Sequence, residues 1–190
     1  MKFLLPVLAF ILFNLQGFSQ VANNKGMDFY DGWALTKKGD TLKGKICYEN
    51  SKTGEVYEKI FFMDATNQKK RMGGEKLTKF SCNNRNFGFI TPLEDDPMPL
   101  LVEILIDGDM NLYKYWFKMP ESSPQKFVYE TGLFIKKKNE NGYFEVLEKG
   151  FKKTMKEVFN QDTQIIEMIK EKNWTAKDID KIVIAYNSLE

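Results

Sequence analysis

The stretch DGWALTKKGDTLKGKICY, Asp31 to Tyr48, decides the fold class. Trp33 and Leu35 alternate with Ala34 and Thr36 until Lys37-Lys38-Gly39-Asp40 breaks the run. Beyond the break Leu42, Gly44, Ile46 and Tyr48 alternate with Thr41, Lys43, Lys45 and Cys47. Period-two alternation on both sides of a Gly/Asp turn predicts a β-hairpin. Gly39 can supply the positive φ that such a turn needs.

Downstream, short strands follow at hairpin spacing. Asn50 to Gly54 is a turn cluster, and Val56 to Met63 is a strand that turns apolar on both faces, which suits a central position. Asn67 to Met72 is a polar strand or turn; Leu77 to Cys82 and Asn86 to Thr91 are strands joined by Asn83-Asn84. Residues 92–99, PLEDDPMP, form a loop because proline removes ladder donors. Leu100 to Ile106 and Leu112 to Lys118 flank Asp107-Gly108-Asp109, a strong hairpin signal. After the loop 119–125, Phe127 to Lys138 and Tyr143 to Glu148 make a last hairpin.

From Phe151 the period changes to that of a helix, with Phe151, Met155, Val158 and Phe159 on one face. Ile165, Ile166 and Ile169 mark a second short helix. In the third, Thr175 is the N-cap and Asp178 completes a capping box, with Trp174 and Ile179 placed as a hydrophobic staple. Ile179, Ile182, Val183 and Tyr186 are its buried stripe. The expectation is an α+β protein: a mostly antiparallel sheet of about eight strands, curled into a roll, barrel or sandwich, with about three short C-terminal helices packed on it.

Residues 1–19 read as a secretory signal peptide. Lys2 gives the positive start, Phe3 to Phe13 is apolar apart from Pro6, and Gly17 and Ser19 fit a small-x-small cleavage site. The apolar run is short against the ~20 residues that a membrane span needs. The expected organisation is therefore a signal peptide (1–19), a flexible leader (20–28), a β-rich body (29–149) and a helical segment (150–190) within one domain. The mature chain is expected in the periplasm or outside the cell, with no transmembrane anchor. GDTLKGKICYEN near the start and TAKDIDKIVIAYN near the end resemble a loose family of small exported bacterial proteins. That resemblance implies a β-rich body with a helical tail and carries over no functional residue.

Composition narrows the function. With 28 basic and 26 acidic residues, the chain has no general drive toward nucleic acid. It contains no histidine, which removes nucleophile–His pairs, His metal ligands and imidazole switches together. Asp107, Asp109 and Asn111 sit at alternate positions like the start of a calcium loop, but the Gly and Glu of that motif are missing, and a hairpin turn explains them. Glu94, Asp95 and Asp96 are solvated acids of a proline-rich loop. Lys136-Lys137-Lys138 reads as a solvated strand end. No catalytic residue and no cofactor are expected. Cys47 and Cys82 invite a disulfide in an exported protein, provided that their faces meet.

The remaining candidate is Tyr113-Lys-Tyr-Trp-Phe-Lys118, where Lys114, Trp116 and Lys118 share one face. Lys stems can simply shield Trp116. Alternatively, Trp116 is an exposed anchor for an envelope protein or glycan, with Lys114 and Lys118 suited to an acidic partner. The expected function is a non-enzymatic binding or structural module of the cell envelope. The alternative is a carrier whose curled sheet encloses an apolar ligand, which 16 Phe would permit.

Overall fold

The computed structural model describes residues 26–53, 55–92, 98–120 and 127–189. The expected signal peptide, most of the leader and the acids Glu94, Asp95 and Asp96 lie outside the described residues.

The opening hairpin pairs β1 (Tyr30–Thr36) with β2 (Thr41–Asn50), Ala34 opposite Leu42 and Tyr30 opposite Ile46. Its turn holds Gly39 at φ 91°, a conformation that glycine adopts without a Cβ clash. The Asp40 N–H donates to the Thr36 hydroxyl at 3.1 Å. The further strands are β3 (Glu55–Met63), β4 (Lys69–Met72), β5 (Leu77–Cys82), β6 (Arg85–Ile90), β7 (Leu100–Ile106), β8 (Met110–Pro120), β9 (Phe127–Lys137) and β10 (Phe144–Glu145). All ten join one antiparallel sheet in the order β10-β9-β8-β7-β6-β5-β1-β2-β3-β4. After β4 at the edge, the chain returns to lay β5 beside β1.

Two details differ from the sequence reading. The count is ten with two short edge strands included: β4, within the stretch read as a polar strand or turn, and β10, which keeps two residues of the expected strand Tyr143 to Glu148. β3 lies one strand in from the edge instead of at the centre. Its doubly apolar character has another cause: Ile60 and Phe62 face the core, while Tyr57 and Phe61 make an edge-to-face pair on the other side.

The sheet is curled but not closed, so it is neither a barrel nor a two-sheet sandwich. Lys118 of β8 reaches Glu55 of β3 at 3.3 Å. Six strand spacings separate β8 from β3, roughly 29 Å across a flat sheet at about 4.8 Å each. Two side chains cannot bridge that distance, so the sheet must roll back on itself. Its concave face is filled by Ala34, Ile46, Tyr48, Ile60, Phe62, Phe80 and Phe87, all buried.

One end of the sheet is covered by helices instead. They are α1 (Phe151–Val158), α2 (Thr163–Glu171) and α3 (Ile179–Asn187), the last entered through a 3-10 turn at Ala176–Asp178. Phe151, Met155, Val158, Ile165, Ile169, Ile179, Ile182 and Val183 pack on Met110, Leu112 and Ile135. The capping box forms, with Asp178 accepting from the Thr175 N–H at 3.1 Å. Asn187 fixes the far end of α3, because its side chain accepts from Met110 N at 2.7 Å and donates to Met110 O at 2.9 Å. No helix among the described residues is long and apolar enough to cross a membrane.

Candidate functional site

Alternation along β8 puts Lys114, Trp116 and Lys118 on the concave side, as the sequence spacing requires. The structure brings other groups to them. Trp116 is half-buried against the roll, its ring 6.5 Å from that of Phe87 and stacked on it. The Lys114 ammonium lies 5.3 Å from the centre of the indole, and the Arg85 guanidinium 5.9 Å. Lys114 also sits 3.9 Å from Glu103, and Lys118 is paired with Glu55. Both lysines that were to greet an acidic partner thus already face carboxylates of this chain. Trp116 is held between cations and a phenyl ring, a packing residue of the roll.

At the centre of this group is Arg85, which no sequence pattern singles out. It donates to both Glu103 oxygens, Nε–Oε1 at 2.6 Å and Nη2–Oε2 at 2.7 Å, a bidentate pair. Its third contact is the Tyr48 hydroxyl at 2.5 Å. The Glu103 hydrogen bonds raise the Arg85 pKa above its ordinary value despite burial. Burial raises that of Tyr48, against the opposing pull of Arg85. The arrangement positions charge without offering it: every buried side-chain nitrogen and oxygen among the described residues has a partner. Asn83 and Asn84, both left-handed at φ 51° and 57°, make the tight turn that delivers Arg85 to this spot.

Cys47 and Cys82 are both buried free thiols, so the disulfide that the sequence invited is not formed. The reason is strand geometry. Cys82 packs in the concave core with Ile46 and Tyr48, whereas Cys47 between them points to the opposite face, where it pairs across to Phe61. Burial pushes the Cys82 thiol up to about 12 and also raises that of Cys47. Neither is a thiolate at neutral pH, and a thiol is a poor nucleophile. No group of three or more His, Cys, Asp or Glu that could hold a metal ion occurs among the described residues.

The lysine run contains a second departure from the sequence reading. Lys137 is buried under the helices, bonded to Asp162 at 2.6 Å, with its ammonium 5.7 Å from the Phe159 ring and 5.5 Å from that of Tyr186. It is opposite Met110 in the ladder, and alternation leaves it no outward position.

An open groove lies where the body meets the helices. Glu148, Gly150 and the first turn of α1 (Phe151, Lys152, Lys153) form one wall, and Trp174 to Lys177 form the other. Its volume is about 620 Å³. Phe151 is buried and makes the floor, while Lys152, Lys153 and Lys177 stand exposed around it. Trp174 reads in the sequence as a staple residue, and it does pack on the helical core. It also lines the groove, with the Lys172 ammonium 5.0 Å from its ring. The spacing of a staple reveals its inner contact, not its outer one.

No family model matches this chain, and neither a curated protein nor a solved structure matches it.

Proposed function

We propose that the protein is a non-catalytic binding module of the cell envelope that works through its outer surface. Its recognition site on this reading is the groove beside Trp174, not the Trp116 strand. The observation that carries the reading is the state of the concave face, which is packed with its own side chains. Phe80 and Phe87 stack at 4.7 Å, and Tyr48 lies 4.5 Å from Phe87, all three virtually inaccessible. A carrier of an apolar ligand needs a cavity of at least ~300 Å³ there. Trp174, in contrast, lines a groove that is open to solvent. Rigid aromatics of this kind provide contact area at small entropic cost. Export through residues 1–19 would bring such a module to envelope glycans and proteins.

The test is retention of the purified protein on the insoluble envelope fraction of its own cells. Wild type and Trp116→Ala should be retained in proportion to their folded fraction, and Trp174→Ala should be lost while still folded. In parallel, solvent extracts of the native protein go to mass spectrometry. A stoichiometric apolar compound in the extract, with no retention of wild type, would favour the carrier and end this proposal.

A further inference from the structure

We propose that the groove between the start of α1 and Trp174 binds a carboxylate-bearing saccharide, an inference that rests on the binding-module reading above.

The groove has the size for it. About 620 Å³ is within the ~300–1,000 Å³ usual for small-ligand sites, enough for one or two sugar rings. Its lining divides into two kinds of surface. Phe151, Trp174 and Ala176 are apolar, and the indole is the flat surface against which the C–H face of a sugar ring stacks. Lys152, Lys153 and Lys177 supply the charge, against a single acid, Glu148.

The lysines are not used up internally. Lys177 meets Glu148 only at 4.0 Å, and Lys153 meets Glu157 at 3.8 Å, with all four side chains more than half exposed. Such pairs hold little energy and exchange readily for a better anion. Lys152 forms no ion pair among the described residues. An overall net charge of +2 makes this concentration of ammonium groups a local feature, not a reflection of a basic protein.

The same features narrow the ligand class. Lysine ammoniums are mobile point charges, suited to carboxylates spaced along a flexible saccharide. The groove has no arginine fork, so an anionic ligand would be held there by point charges and by the indole, not by bidentate hydrogen bonding. An extended peptide commonly gains affinity by pairing with a strand edge, and an acidic motif by an arginine cluster. The lining here comes from helix starts and turns, with no strand among them.

Calorimetric titration of the full chain with a galacturonic acid trisaccharide tests this, beside the neutral galactose trisaccharide and a glutamate peptide of equal charge. The acidic saccharide should bind at least ten times more tightly than the neutral one, and more weakly as salt rises. The double variant Lys152→Glu/Lys153→Glu changes only exposed side chains, so its melting should be unaltered while affinity falls at least tenfold. Trp174→Phe should recover most of the binding that Trp174→Ala loses. Equal binding of the two saccharides, or tighter binding of the peptide, would overturn the ligand class. If none of the three binds but the envelope fraction retains wild type through Trp174, the class is wrong and the module stands. If wild type is not retained either, both ideas fall.

Discussion

One face of β8 carries Met110 and Leu112 at its start and Lys114, Trp116 and Lys118 further on, and the two halves are covered in different ways. The first half is roofed by the three helices, whose buried contribution is mostly aliphatic: four isoleucines, two valines and a methionine, besides Phe151 and Phe159. The second half is covered by the sheet itself, rolled until β3 stands across from β8. Here the filling is aromatic, and a bidentate arginine pair is set among the rings. Helices can approach as closely as their side chains allow, so branched aliphatics pack them well. A sheet that curls on itself holds its opposed strands further apart, and large rings with a long guanidinium are needed to span the gap. The roof is held mainly by apolar burial, with Lys137–Asp162 beneath it and Asn187 tying α3 to Met110, while the roll sets its bidentate pair among the rings, where its value depends on both members being present.

The helix-roofed half should be the more sensitive to a single charge. Ile182 is fully buried, and an aspartate there has no cationic partner on the α3 stripe. Ile182→Asp is therefore expected to lose the transfer energy of the isoleucine as well as the cost of burying a carboxylate, about 4 kcal/mol or more. A thermal melt would show it as a large fall in Tm with loss of the whole cooperative transition. An unchanged Tm would mean that the tail is not part of the core.

In the roll, Glu103→Gln should cost about 3 kcal/mol, the low end for breaking a buried pair, because Arg85 retains 29% of its side-chain exposure. The contrast with the roof becomes sharp in the double variant Arg85→Met/Glu103→Leu. Removing both charges should restore most of the stability, since burial alone can replace a buried ion pair. No comparable second substitution restores Ile182→Asp. Urea denaturation of the four proteins in the cycle gives the coupling directly. A double variant as unstable as the single one would show that the pair fixes the curl of the sheet.

A third difference between the halves lies in their response to alkali. Cys82 belongs to the roll, and burial raises its thiol from an ordinary 9.0 to about 12. A raised pKa means that the folded state favours the protonated thiol. Its contribution is complete below pH 9 and is lost as pH climbs from 9 toward 12. By pH 10 the loss should be about 1.4 kcal/mol, one pH unit beyond the unfolded value. Cys82→Ala should flatten that part of the curve. A thiol count on the unfolded protein under non-reducing conditions should find two free cysteines; a count of zero would restore the disulfide.

The roof was largely legible from sequence and the roll was not, for physical reasons. Helical period, capping box and staple are relations between residues three to five apart, so Thr175, Asp178 and Ile179 announce themselves locally. Hairpins such as β1–β2 and β7–β8 are equally local, with turn residues between two alternating runs. The return of β5 to β1 and the meeting of Lys118 with Glu55 join residues more than forty positions apart. No period encodes them. Arg85 was missed because its two partners, Tyr48 and Glu103, lie on other strands, β2 and β7. In the groove, Lys152, Lys153 and Trp174 come from either side of two helices, and only the fold of the tail makes them neighbours.

The smallest expected effect asks what holds the roll shut. Among the described residues, Lys118 to Glu55 is the ion pair that joins β8 to β3, and the Lys118 ammonium also lies 5.5 Å from the Tyr129 ring. Were that link the clasp of the curl, Lys118→Ala should let the two ends part and expose the aromatic filling. Both partners are well exposed, however, at 55% and 38% of the side chain, where solvent screening leaves a pair little to contribute. Phe80, Phe87 and Tyr48, by contrast, are shut away from water and lie between the same strands. The filling should therefore hold the curl and the ion pair merely decorate its edge. Lys118→Ala is expected to shift Tm by no more than about 2 °C. Amide exchange in β3 should stay as slow as in wild type, and so should that in β2. Fast exchange confined to β3 and β4, with the helical roof unaffected, would show the reverse: that the roll opens at its edge, and that one surface lysine decides when.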